Sequence, residues 1–195
     1  MNTVQPSLVL GYHGTDITTV KHIIDKKSNL NPSENAYDWL GNGIYFWEND
    51  PLRAKEFAEE NFKRKKIKKK IGVIGAIIDL GFCLNLLERS YVDELKASYK
   101  FLANIHNKFG TELPQNSDPL HLDQIPLQRN LDCAVIQNLH TMRLESGLKE
   151  YDTVRSVFTE GEEIYLNAGF RDKNHIQICV RDTECIKGYF YPKEI

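Results

Sequence analysis

Apolar positions change their period several times along the chain, and each change marks an element. Leu8, Val9, Leu10 and Gly11 form an apolar run that leads into Tyr12-His13-Gly14-Thr15 and predicts a short buried strand closed by a glycine. Asp16 then stands where it can cap a helix whose apolar face, Ile17, Val20, Ile23 and Ile24, follows helical spacing. Residues 28–43 are rich in Asn, Pro, Ser and Gly and read as a loop, after which Gly43-Ile44-Tyr45-Phe46-Trp47 has the aromatic and β-branched content of a second strand. Asp50-Pro51 reads as a helix start, because proline at the first helical position gives up an N–H that has no partner there. The inner face of that helix is expected at Ala54, Phe57, Ala58 and Phe62. It should run on into a basic stretch and break near Gly72, where Val73, Ile74, Ala76, Ile77 and Ile78 look like a strand buried on both faces.

Apolar spacing at Val92, Leu95, Tyr99, Leu102 and Ile105 predicts a helix over 90–109. A Pro/Asn/Ser/Asp-rich linker over 110–126 separates it from a further helix over 131–146, with Gly147 where that helix stops. The chain closes with strand-like segments over 154–158, 174–180 and 186–191 and a Gly/Glu-rich loop between the first two. Strands and helices are mixed without regular βαβ alternation, so the fold class is α+β and not a doubly wound sheet. A length of 195 residues fits one domain.

Composition narrows the picture. The longest apolar stretch, Ile71 to Ile78, stops at Asp79, far short of the roughly 18 residues of a membrane helix, so no membrane span or membrane partner is expected. The first residues hold neither a basic segment nor a sustained apolar one, which predicts a cytoplasmic chain without a secretory signal. Cys83, Cys133, Cys179 and Cys185 form no C-x-x-C pair and no zinc-spaced cluster, and read as buried thiols with no metal. The near balance of 25 Lys plus Arg against 27 Asp plus Glu hides Lys63, Arg64, Lys65, Lys66, Lys68, Lys69 and Lys70 packed together. That run is either a solvated helix end or a contact for a polyanion.

Three segments carry candidate chemistry. His13 stands between a glycine-flanked strand end and a helix start, where Gly14 lets a ligand approach the backbone. Two glycines, Gly41 and Gly43, precede an aromatic strand that puts Tyr45 and Trp47 on one face and Phe46 on the other; such rings are core, or a stacking platform for a planar ligand. On the late strand His175 and Gln177 share a face opposite Ile176 and Ile178. They either satisfy one another inside the fold or line a site. Glu160, Glu162 and Glu163 around Gly161 form an acidic loop that either supplies a carboxylate there or solvates a turn.

Together these segments resemble the ADP-ribosyltransferase superfamily, in its poly(ADP-ribose) polymerase and diphtheria-toxin-like branch. Tyr12-His13-Gly14-Thr15 looks like the branch's His-Gly-Ser/Thr motif, and Leu40-Gly41-Asn42-Gly43-Ile44-Tyr45-Phe46 looks like its Gly-x-Gly-Ile-Tyr-Phe motif. The likeness covers residues 8–80 well and the end of the chain more loosely, and residues 85–150 match nothing in the polymerases. The resemblance implies a split β-sheet core with a helical insertion over 85–150. It implies NAD as co-substrate, bound by Tyr12, His13, Gly14, Thr15, Gly43, Tyr45 and Phe46: His13 on the adenosine ribose, the Gly14 backbone on the nicotinamide amide with Thr15 supporting it, and Tyr45 stacked on the ring.

The family's signature glutamate falls on Gln177, which can hydrogen-bond a ribose hydroxyl but cannot act as a general base. Single transfer of ADP-ribose is therefore expected, not polymer synthesis, with His175 or Glu160 as proton acceptor where the nucleophile needs one. The expected acceptor is a macromolecule, nucleic acid or protein, with Lys65, Lys66, Lys68 and Lys69 placing a nucleic acid. By the same analogy the chain is similar to bacterial toxins and anti-phage effectors held by an antitoxin protein. A non-catalytic NAD-binding module and an NAD glycohydrolase are the alternative readings.

Overall fold

The computed structural model describes residues 8–26, 28–117 and 128–193. Its frame is a seven-stranded mixed sheet. In chain order the elements are β1 (Leu8–Asp16), α1 (Ile17–Lys26), β2 (Ile44–Glu48), α2 (Pro51–Arg64), β3 (Ile71–Asp79) and β4 (Cys83–Asn85). They continue with α3 (Arg89–Phe109), the short pair β5 (Asn116–Ser117) and β6 (Gln128–Arg129), α4 (Asn130–Glu145), β7 (Thr153–Phe158), β8 (His175–Val180) and β9 (Ile186–Phe190). The sheet runs β4-β7-β8-β2-β1-β3-β9; β4 and β7 are parallel and the other neighbours antiparallel. The α+β class expected from the sequence is the class observed.

One face of the sheet lies under α1, where Val20 and Ile23 pack with Ile44, Phe46, Ile74, Ile78, Ile178 and Val180. The opposite face is covered in two parts. Helix α2 sets Ala54 against Trp47 and Val73. Helix α4 sets Ile136 and Leu139 against Leu40, Leu84, Val154 and Cys179, with α3 laid on α4 through the buried Ser98 hydroxyl, which donates to the Val135 carbonyl at 2.8 Å. Between the two covers, β2 and β8 present Tyr45, Trp47, His175 and Gln177 on one face, as strand alternation predicts.

Several expectations need correction. The first strand is neither short nor buried: β3 pairs with it along nine residues, from Leu8↔Asp79 to Asp16↔Ile71, so Gly11, His13 and Gly14 lie inside β1, and Leu8 and Leu10 are exposed. Asp16 does cap α1, accepting from the Thr19 amide at 3.1 Å and from the hydroxyls of Thr18 and Thr19. Those bonds, that of Thr18 foremost, hold its carboxyl well below the usual range. Helix α2 does not reach Gly72. It closes when Ile67 N–H bonds the Phe62 carbonyl and Lys66 N–H the Lys63 carbonyl, with Lys66 itself at φ 54°. This double closure is the helix-ending arrangement usually built on glycine. The basic residues after Arg64 are thus an exposed connection and not helix. Phe57 is half-exposed, and Arg53, only 3% exposed, takes a buried place on α2. Ile77 is likewise exposed, so β3 is not covered on both faces throughout.

Helices α3 and α4 answer the predictions over 90–109 and 131–146 within a residue. Residues 118–126 of the expected linker, and the first seven residues on which the leader reading rested, lie outside the described residues. The four cysteines are free, Cys133, Cys179 and Cys185 buried and Cys83 half-buried. Among the described residues no helix is long and apolar enough to cross a membrane.

A buried histidine contributes to the acid stability. His140 on α4 is 2% exposed, neither ring nitrogen has a hydrogen-bond partner, and burial, then Arg181 and Arg143, push its pKa from 6.5 down to about 3. The unfolded chain therefore binds this proton first. The stability contributed by the neutral ring is fully present above pH 6.5 and is lost as pH falls towards the folded value. At about 1.4 kcal/mol per unit, on the order of 3 kcal/mol is gone by pH 4. Urea midpoints measured between pH 7 and 4 should fall accordingly, and His140→Leu should show a shallower fall over the same interval.

Candidate active site

The sheet is interrupted in its middle. β1 pairs with β2 only at Gly11↔Glu48 and Tyr12↔Trp47, whereas its pairing with β3 continues to Asp16. The Leu10 carbonyl accepts from the Asn49 amide at 2.9 Å, so main-chain groups of even-numbered β1 residues face β2. The N–H and C=O of Gly14 consequently point into a gap that β2 does not close.

His13 bridges that gap. Its ring lies on the α1 face, edge-on to Phe46 with centroids 6.1 Å apart, and Nδ1 donates to the Tyr45 carbonyl at 2.7 Å. A carbonyl only accepts, so the proton sits on Nδ1 and Nε2 keeps a free lone pair. Burial lowers the His13 pKa against the opposing effect of that bond, which keeps the ring neutral. The Tyr45 ring lies on the opposite face. Its hydroxyl donates to the Gly41 carbonyl at 2.7 Å and accepts from the Leu40 amide at 3.0 Å, and burial raises its pKa well above 10. The imidazole and phenol therefore do not share one pocket wall, since neighbouring strands put residues 13 and 45 out of phase. They meet through the Tyr45 backbone.

The glycines have packing reasons. A Cβ at Gly14 would lie 2.1 Å from the Ala54 carbonyl oxygen, so only glycine lets α2 rest on β1. At Gly43 a Cβ would lie 2.6 Å from Cys179 Sγ, in a backbone with φ +156°. Tyr12 packs edge-on to Phe190, and Thr15 is half-buried on the His13 side of β1. Phe46 is fully buried, which corrects its expected contact with a ligand: it supports His13 from the core.

Gln177 is 8% exposed and paired in register with Trp47 and Ser156. Its Oε1 accepts from the Trp39 indole at 2.6 Å. An indole N–H only donates, so the oxygen is the atom facing Trp39 and the amide N–H₂ points away from it. Trp39 leans on Phe158, with centroids 4.7 Å apart. His175 donates from Nδ1 to the Lys173 carbonyl at 2.7 Å and stacks on Phe158; its Nε2 is buried without a partner and burial lowers its pKa. Glu160 accepts from Arg53 Nη2 with both oxygens at 2.9 Å. Its carboxylate is committed to a buried guanidinium and does not face Gln177 as a free base. Lys65, Lys66, Lys68 and Lys69 lie on the exposed connection before β3, where Lys69 reaches Asp16 at 3.4 Å.

Sequence reasoning missed Trp39 and Arg53. The signal for Trp39 was a tryptophan set just before Gly41 in an otherwise polar loop; for Arg53 the amphipathic pattern of α2 gave none, because its charge is neutralised by a residue 107 positions away.

An uncharacterized protein of Methanocaldococcus jannaschii is similar to this chain, 29% identical over 194 aligned residues that cover 90% of this chain and 83% of that protein. No family model and no solved structure matches.

Two substitutions test the site's construction. Gly14→Ala should cost at least about 2 kcal/mol by urea unfolding, because the Ala54 carbonyl it meets is rigid helix backbone. Trp39→Phe keeps an aromatic ring beside Phe158 and should cost about 1–3 kcal/mol, because it leaves the buried Gln177 oxygen without its donor.

Proposed function

We propose that this chain is an NAD-dependent mono-ADP-ribosyltransferase with a split-sheet core of the ADP-ribosyltransferase kind, in which α3 and α4 are the helical insertion. The observation that carries this reading is the gap between β1 and β2 at Gly14, where one main-chain donor and one acceptor stand side by side without strand partners. A primary carboxamide offers the complementary pair, one acceptor and an N–H₂ donor. His13 Nε2, freed by the bond at Nδ1, suits a ribose hydroxyl as donor. The Gln177 N–H₂ suits a ribose oxygen.

When bound, NAD supplies a glycosidic bond to a good leaving group, nicotinamide. This chain's residues hold and orient it: the Gly14 backbone grips the carboxamide, Tyr45 keeps the loop before β2 closed through Gly41 and Leu40, and Gln177 positions the ribose. Gln177 brings no negative charge to its side of the cleft and Glu160 is bound to Arg53, so nothing here activates a ribose hydroxyl for chain growth. Single transfer follows. The same lack of a free carboxylate favours a second reading, a module that binds NAD without turnover. The cellular setting proposed with the transferase, a toxin or anti-phage effector restrained by an antitoxin protein, rests on the resemblance alone.

The full chain incubated with NAD and cell extract should release nicotinamide and label a macromolecule once per site. Gln177→Ala should lower turnover by about tenfold or more with NAD affinity little changed, while His13→Ala should weaken NAD binding by about tenfold, one hydrogen bond each. Binding without nicotinamide release supports the module, release without label supports hydrolysis, and calorimetry that detects no NAD binding sinks all three.

A further inference from the structure

We infer that the groove between α2, the start of β3 and the residues after β9 is a binding site for single-stranded nucleic acid. The groove has a volume of about 200 Å³ and is lined by Lys55, Gly72, Val73, Tyr191 and Lys193. That is below the roughly 300–1,000 Å³ of a pocket enclosing a whole small molecule, and suits a single planar ring. Tyr191 is 52% exposed, an aromatic side chain in a lining that also holds Lys55 and Lys193. Bases stack on such faces whatever their identity, and flanking cations take the phosphates.

The basic run feeds this groove. Lys70 immediately precedes Ile71, itself part of the lining, and Lys63 through Lys70 are exposed with no acidic residue among them. Neutralisation of the α2 dipole accounts for Lys63 and Arg64 in its last turn. It does not account for Lys68, Lys69 and Lys70, which follow the closure at Lys66. Among the described residues the run makes one ion pair, Lys69 with Asp16. The register Gly14↔Val73 puts the groove floor one strand from the gap in β1, so a bound strand passes beside the candidate site.

The test needs no NAD, and its result is independent of the transferase reading. Anisotropy of a labelled RNA or DNA strand of about 12 nucleotides is followed from about 50 to 200 mM salt with the full chain. Affinity should fall steeply with salt. Replacing Lys65, Lys66 and Lys68 by Gln should flatten the slope of log K against log salt by about 2, at about 0.7 per phosphate contact. Tyr191→Ala should lose about 5- to 100-fold at an unchanged slope, and Tyr191→Phe should keep the affinity. An unaltered slope in the triple variant, an unaffected Tyr191→Ala, or equal competition by polyglutamate each overturns the proposal, provided thermal melts show the variants folded.

Discussion

The structure turns on a β1 that is fully paired on one side and abandoned on the other. β3 follows it for nine residues, while β2 leaves it after Tyr12. Two contacts bracket the opening: α2 presses on Gly14 at a distance no side chain allows, and the His13 ring reaches across to the Tyr45 carbonyl. Main-chain groups left open inside a sheet are unusual because an unpaired amide or carbonyl is costly when shielded from water. Here the gap is held by packing on one side and a hydrogen bond on the other.

The candidate residues on the two faces of the sheet are neutral or paired. Burial disfavours the charged forms of His13, His175 and Tyr45, Gln177 is an uncharged amide, and the carboxylate of Glu160 is paired with Arg53. Positive charge is concentrated elsewhere, on the connection between α2 and β3, one strand away from the opening. The gap beside Gly14 and the basic connection are thus separate surfaces, both bordered by β3.

Much of this was legible beforehand. The 3.6-residue spacing of Ile17, Val20, Ile23 and Ile24 located α1 because one apolar stripe must face a core; that of Val92, Leu95, Tyr99, Leu102 and Ile105 located α3, although only Leu95 of these packs on a core cluster and Val92, Tyr99 and Ile105 are exposed. Alternation placed Tyr45 and Trp47 together and His175 and Gln177 together. The extent of β1 was not legible, because it depends on a partner strand some sixty residues away. The end of α2 was misread because a lysine adopts the left-handed conformation that glycine usually supplies.

By itself the sequence determined the fold class, the order of the main elements and the alternation that puts Tyr45 with Trp47 and His175 with Gln177, since periodicity is a local property of the backbone. Tertiary structure alone decided how strands pair and where pairing fails, so it decided that His13 and Tyr45 meet through a carbonyl and not ring to ring, that Trp39 orients Gln177 and that Arg53 claims Glu160. Each of those is a contact between residues far apart in the chain, and no local pattern encodes which distant donor will reach which acceptor.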